Sequence, residues 1–261
     1  MPYNKLVINN EFKVYLNAGL SNRIRSMLAL IYVCKTNNWK LKIYWPINKV
    51  CPAHFLTVFK KLSNMNFIYF KENKNLNNTL NAIKWNFKGQ YTFYGIIKDY
   101  FPNLSLEIIK KIELKYYSML QPKAHIIKII NDINKIYNLN TCYSIHMRRS
   151  DHIALAKLKN KYTDSLEFID FINESPGKVY LSTDNKVTQN KYLKMYPNKI
   201  IFYKNITNIN DFRQTSLDHA VVDIYICSKT KNFKQSGFSS FSDFIIILRK
   251  INLIKSIKQT L

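Results

Sequence analysis

Two arginines, an aspartate and a histidine crowd into "RRSDH", residues 148 to 152, directly after the alternating run "YSIHM". Read as a strand, that run turns Tyr143, Ile145 and Met147 to one face and Ser144, His146 and Arg148 to the other, so Arg148 emerges at the carboxyl edge. Ligands of open α/β sheets bind at that edge. A guanidinium fork can hold phosphate oxygens two at a time, and partial desolvation strengthens such bonds. The plainer alternative is a surface Arg–Asp pair, worth only about 0–1 kcal/mol.

Three further stretches could act with it. In "NAGLSNRIR" the spacing predicts a sharp turn at Gly19 and a helix whose first amides face an anion, with Asn22, Arg23 and Arg25 in the opening turns. Cations there oppose the helix dipole at a cost of about 0.3–1 kcal/mol each, which a bound anion would offset. In "SGFSSFSD" the hydroxyls of Ser239, Ser240 and Ser242 precede another helix, with Ser240 and Asp243 at capping-box spacing and the surplus hydroxyls open to a phosphate or a sugar. In "LDHAVVDIYIC" Asp223 sits within an apolar run, with His219 one turn earlier. A buried carboxylate needs a donor, either from the protein or from the adjacent N–H groups of a purine.

Some chemistries are disfavoured. The chain has neither a Walker A loop nor G-x-G-x-x-G spacing, so neither a P-loop nucleotidase nor a nicotinamide enzyme is expected. It contains no D-x-D pair to carry Mg²⁺ or Mn²⁺ on a diphosphate, and Cys34, Cys51, Cys142 and Cys227 lack zinc-ligand spacing, so no metal is expected.

Around these residues the pattern alternates strand and helix. Residues 12 to 16, a helix from about 23 to 35, and residues 41 to 45 predict a βαβ start, and residues 66 to 70 and 90 to 95 read as further strands. Two helical patterns broken at Pro122 lead to a boundary placed at 138. Beyond it, a strand at 141 to 147, a helix from Thr163 or Asp164, a strand at 178 to 183, a helix at 186 to 196, a strand at 199 to 203, a helix at 216 to 228, a short strand near Phe233 and a last helix imply a second parallel sheet. Two domains, 1–138 and 139–261, suit a chain of 261 residues that is 47% hydrophobic. The net charge of +24 fits an anionic partner, although the abundance of lysine, asparagine and isoleucine would also follow from an AT-rich genome. No signal peptide and no run of about 18 apolar residues is evident, so a soluble, cytoplasmic protein is expected.

Taken in order, "AGLSNRIR", "IHMRRSD", "YLSTDN", "VDIYICS" and "GFSSFSD" resemble the GDP-fucose-dependent fucosyltransferases of the α1,2, α1,6 and protein-O group, the nodulation-type α1,6 enzymes above all. The resemblance spans about 14 to 45 and 137 to 250, and it implies a GT-B fold of two Rossmann-like domains facing a cleft. It further implies that residues 1–138 form the acceptor-side domain and 139–261 hold the nucleotide sugar. Arg148 would hold the donor pyrophosphate with Arg149 as an accessory, His146 and Asp223 would contact guanine, and Ser239 or Ser240 a phosphate. Gly19, Asn22 and Arg23 would approach the pyrophosphate from the other domain, and Asp184 falls in the "STDN" segment, where the family has two consecutive aspartates and this chain has Asn185 second. The chain also departs at Ser150, where glycine or threonine is usual, and at Lys231, where an acid is frequent.

The implied chemistry is inverting displacement at the anomeric carbon, with Arg148 stabilising the departing diphosphate. Asp151, His152 and Asp164 are the nearby candidates for a base that activates a glycan hydroxyl. The partners would be a nucleotide-sugar donor and a glycan acceptor. Another nucleotide sugar is the alternative within the class, and a basic nucleic-acid-binding protein is the alternative from a different class.

Overall fold

A computed structural model describes residues 7–63, 65–71, 83–84, 92–149, 153–207 and 214–260. The chain divides into two compact units, Met1–Gln121 and Pro122–Leu261.

In the first unit β1 (Val7–Ile8), β2 (Glu11–Tyr15), α1 (Leu20–Thr36), β3 (Lys40–Ile47), α2 (Phe55–Val58), β4 (Met65–Lys71), β5 (Ile83–Lys84), α3 (Phe93–Tyr100) and α4 (Leu106–Ser118) follow in order. Strands β4, β3, β2 and β5 pair in parallel in that spatial order, and β1 lies antiparallel on the start of β2. Sequence order reverses at β2, so the switch point of this sheet lies beside the turn that opens α1. Residues 92 to 95, read from sequence as strand, instead begin α3: the Thr92 hydroxyl accepts from Gly95 N at 3.0 Å. Phe93, Ile96 and Ile97 then bury one helical face, and that periodicity outweighs the β propensity of the aromatics.

Arg23, expected at an anion site, is instead a core residue with no exposed surface. Its guanidinium donates to the carbonyl of Pro46 at 2.7 Å and to Asn48 Oδ1 at 3.1 Å, its Nε donates to the carbonyl of Ala18, and the group lies 4.8 Å from the Trp45 ring. It therefore ties the turn after β2 to the end of β3. Gly19 caps α1 at φ −66°, a conformation open to any residue, so the turn does not require glycine's freedom. Asn22 is half-buried in the first turn of α1.

The second unit runs α5 (Ala124–Tyr137), β6 (Tyr143–Met147), α6 (Ile153–Leu158), α7 (Ser165–Glu174), β7 (Val179–Thr183), α8 (Lys186–Met195), β8 (Ile200–Ile201), α9 (Leu217–Lys229), β9 (Asn232–Lys234) and α10 (Ser240–Thr260). Its all-parallel sheet is ordered β8-β7-β6-β9, the same arrangement as in the first unit. The division falls before α5 rather than at 138, because α5 packs on α9 and so belongs with the second sheet. One face of this sheet is apolar: Tyr143, Ile145, Met147, Val179 and Leu181 pack with Phe168 and Ile172 of α7 and Tyr192 of α8.

Removing the Arg23 guanidinium leaves two main-chain acceptors without their donor, at about 1–3 kcal/mol each. Arg23→Ala is therefore expected to lower stability to urea by about 2–5 kcal/mol. A change below about 0.5 kcal/mol, the range of an ordinary surface substitution, would show that the turn holds itself.

Candidate active site

The switch point of the second sheet lies between β6 and β9, and the residues singled out at 148 and 236 to 240 lie at the carboxyl ends of those two strands. The Arg148 amide donates to Ser236 Oγ at 2.9 Å, fastening the end of β6 to the segment after β9. On the other side the Arg149 amide donates to Asp184 Oδ1 at 3.0 Å, and Thr183 Oγ1 donates to the Met147 carbonyl at 2.8 Å. Asp184 thus acts on the backbone of the arginine pair.

Both arginines line one small pocket, with Tyr162, Thr163, Ser236, Gly237 and Phe238. Arg148 is half-buried there. The Arg149 guanidinium turns back to the carbonyl of Thr163 at 3.1 Å and lies 5.1 Å from the Tyr162 ring and 5.3 Å from that of Phe168. Those contacts tie Arg149 to the scaffold while it also lines the pocket.

Gly237 answers a real steric demand. A Cβ there would fall 1.8 Å from the Lys161 carbonyl oxygen, while the Gly237 amide donates to Thr163 Oγ1 at 2.8 Å. The next residue, Phe238, is held at φ 52°, a left-handed conformation that costs a non-glycine residue about 1–3 kcal/mol and is concentrated at functional loops. Ser239 then caps α10, its Oγ accepting from Ser242 N at 3.4 Å, which corrects the capping role expected of Ser240. Ser240 remains half-buried in the first turn of a long helix, whose opening amides carry partial positive charge.

Beneath this edge the second face of the sheet is polar and buried. Ser144 and Thr230 share a 2.6 Å hydrogen bond, and His146 Nδ1 meets Ser242 Oγ at 2.8 Å while its ring stacks on Phe241 at 4.5 Å. Of the two kinds of donor left open for Asp223, the protein supplies one. Tyr180 donates to its Oδ1 at 2.6 Å, and His219 Nε2 lies 3.7 Å from the same oxygen. Burial pushes the Asp223 carboxyl upward, against the opposing pull of His219 and of hydrogen bonds from Tyr180 and Ser182. The Tyr180 hydroxyl is pushed well up by its own burial and by Asp223. Tyr180 and Ser182 belong to the "YLSTDN" stretch but carry no role in the sequence reading, although alternation along β7 places them opposite Ser144 and His146 on one face.

Of the three candidate bases, Asp164 caps α7: it accepts from Glu167 N at 2.9 Å, and the Glu167 side chain accepts from Asp164 N at 3.3 Å. That capping box accounts for it. Asp151 and His152, with Ser150, lie outside the described residues.

No family model matches the sequence, and no curated protein matches it. Solved structures do. NodZ α-1,6-fucosyltransferase soaked with GDP-fucose is 13% identical, covers 90% of both chains and has a TM-score of 0.57. POFUT1 in complex with GDP is 11% identical over 94% of this chain and 96% of that one, with a TM-score of 0.58. A mutant of FUT1 from Arabidopsis thaliana in complex with GDP is 12% identical over 94% and 70%, at 0.50. The fold is therefore that of the GT-B fucosyltransferases, two Rossmann-like units in one chain.

The raised Asp223 carboxyl gives a pH test. A group whose folded pKa lies above its unfolded value of about 3.9 favours folding below that value and loses this contribution as pH rises through the folded pKa. Asparagine can keep the bond from Tyr180 and does not titrate. The melting temperature of Asp223→Asn is therefore expected to gain on wild type as pH rises from 4 towards 8. A gap that stays constant would mean that burial does not shift the carboxyl.

Proposed function

We propose that the chain is an inverting glycosyltransferase that moves fucose from GDP-fucose to a glycan hydroxyl, working in the cytoplasm. The observation that carries this reading is that Arg148 and the strained Gly237–Phe238 loop line one pocket at the β6–β9 switch point, with the first turn of α10 following directly on that loop. That combination suits a diphosphate, because the fork offers charge-assisted bonds and the helix offers oriented amides. The GDP and GDP-fucose bound by neighbours of the same fold support the choice of donor.

As the sugar–oxygen bond breaks, negative charge gathers on the departing diphosphate. Arg148 and the Ser239–Ser240 turn would stabilise it in a site fixed before the reaction begins. The acceptor hydroxyl attacks the opposite face of the sugar and gives up its proton, for which Asp151 and His152 are the candidates. The absence of any D-x-D pair favours a mechanism in which cationic side chains replace a divalent ion. For the base we place His146 and Asp223 against guanine. Tyr180 occupies only one of the acceptor positions of the carboxylate, and N1–H with the 2-amino group of guanine forms a donor pair that uracil lacks.

Loss of one such contact to a developing oxyanion costs about 2.7–4 kcal/mol. Arg148→Ala, assayed in excess EDTA, is expected to transfer fucose about 100–1,000-fold more slowly than wild type. A folded variant within about threefold of wild type would remove Arg148 from the mechanism. Asp223→Asn should weaken GDP binding by about 1.5–3 kcal/mol and leave UDP binding nearly unchanged, read by titration calorimetry. Equal losses for both nucleotides would make Asp223 structural, and a wild type that prefers UDP would overturn the choice of donor.

A further inference from the structure

The last turns of α10 leave the body of their unit. Ile251 is the last buried residue, and positions 252 to 259 are all exposed. Three large aliphatic side chains project there: Leu253 is 62% exposed, Ile254 42% and Ile257 51%. Their spacing of i, i+1 and i+4 puts them on one side of the helix, where three aliphatic side chains stand partly in water.

The charges around this face are of one sign. From Phe244 to the helix end at Thr260 the sequence carries Arg249, Lys250, Lys255 and Lys258 and no acid. Arg249 is committed to the fold, since it donates to the carbonyls of Cys227, Thr230 and Lys231. Lys250 lies one turn before these side chains on the same side of the helix, and Lys255 and Lys258 line one flank of them. Beside it, Leu253 and Lys250 also line a groove with Ile246, Phe233 and Lys231. In the same groove Lys234 is neutralised by Glu167 at 2.7 Å, which leaves Lys231, Arg249 and Lys250 as its net cations.

We propose that this end of α10 docks on an anionic lipid surface, lying in the interface with Leu253, Ile254 and Ile257 turned to the acyl region and the lysines to headgroup phosphates. Charge selects this occupant. A second copy of the chain brings the same net +24 and repels the face, and a nucleic acid would leave three aliphatic side chains without a counterpart. Among the described residues no helix is long and apolar enough to cross a membrane, so the helix would lie on the bilayer rather than span it.

Any strongly basic protein adheres to anionic vesicles, so the test must leave charge unchanged. The full chain is sedimented at about 0.15 M salt with vesicles of phosphatidylcholine, alone or with roughly one-third phosphatidylglycerol. Wild type is expected to bind the mixed vesicles at least about tenfold more tightly than the neutral ones. Leu253→Asn/Ile257→Asn, which keeps the charge, should lose about tenfold or more on the mixed vesicles, and Lys250→Gln/Lys255→Gln/Lys258→Gln should lose a similar amount. In Ile257→Trp, the added emission should shift to the blue on binding and be quenched by brominated acyl chains. Asparagine variants that melt like wild type yet bind as well would reduce the effect to net charge and overturn the proposal. So would an unquenched tryptophan, a wild type that binds neither vesicle, or a wild-type dimer that the asparagine pair dissociates.

Discussion

The candidate site depends on how the end of β6 is held. A strand that stops at a sheet edge leaves its next amides without ladder partners, and such groups are costly to bury unless other donors or acceptors meet them. Here the first two amides beyond Met147 go to side chains on opposite neighbours, Ser236 after β9 and Asp184 after β7. Both bonds come from the main chain. The backbone of the Arg148–Arg149 pair is thereby fixed from two sides, with both residues lining the pocket and Arg149 also bonded to the Thr163 carbonyl. Electrostatic stabilisation of a leaving group requires this kind of prior fixation, since a charge that must be repositioned during the reaction forfeits much of its advantage.

The same unit separates apolar and polar burial between the two faces of its sheet. Beneath α7 and α8 the face is hydrocarbon, as expected for a parallel sheet covered by helices. Beneath α9 and α10 it carries Ser144, His146, Tyr180 and Ser182, and the helices answer with Asp223, Ser242 and, just past α9, Thr230. A buried polar layer is tolerable only when its members satisfy one another, and it then specifies a single packing more tightly than hydrocarbon does. An aspartate inside the apolar sequence of α9 is thus explained by the strand opposite it. The cost of its burial appears in the raised pKa of the carboxyl.

Much of this was legible in the sequence because period-2 and period-3.6 patterns are local. The strands and helices after residue 141 lie close to where alternation, capping residues and glycine placed them, and Arg148 stands at the edge expected of it. What the sequence could not supply was pairing across space. Arg23 reads as an anion ligand because its type and helix position suit one, and only the approach of Pro46 and Asn48 turns it into a core tie. Asp164 reads as a base for the same reason, until Glu167 closes a capping box around it. Thr92 follows the other route: its hydroxyl, a local feature, starts a helix where a run of aromatics suggests a strand. A side chain's type announces what it can bind, but burial and the nearest carbonyl decide what it does bind.

Arg249 links the two ends of α10. Its guanidinium gathers the carbonyls of Cys227, Thr230 and Lys231, the groups left over where α9 stops and β9 begins, and Asn252 adds a bond to the Ser228 carbonyl at 3.1 Å. Burial lowers the arginine's pKa, yet guanidinium starts from so high a value that it stays charged. The clamp acts near the middle of a rigid rod. Its amino-terminal side is fixed at the pocket through Ser239 and Ser242, and its carboxyl-terminal side must then emerge beyond Ile251 in a direction set by the same contacts. A helix of 21 residues spans about 30 Å at 1.5 Å per residue, so a contact made at its far end is fixed in orientation relative to the site at its near end.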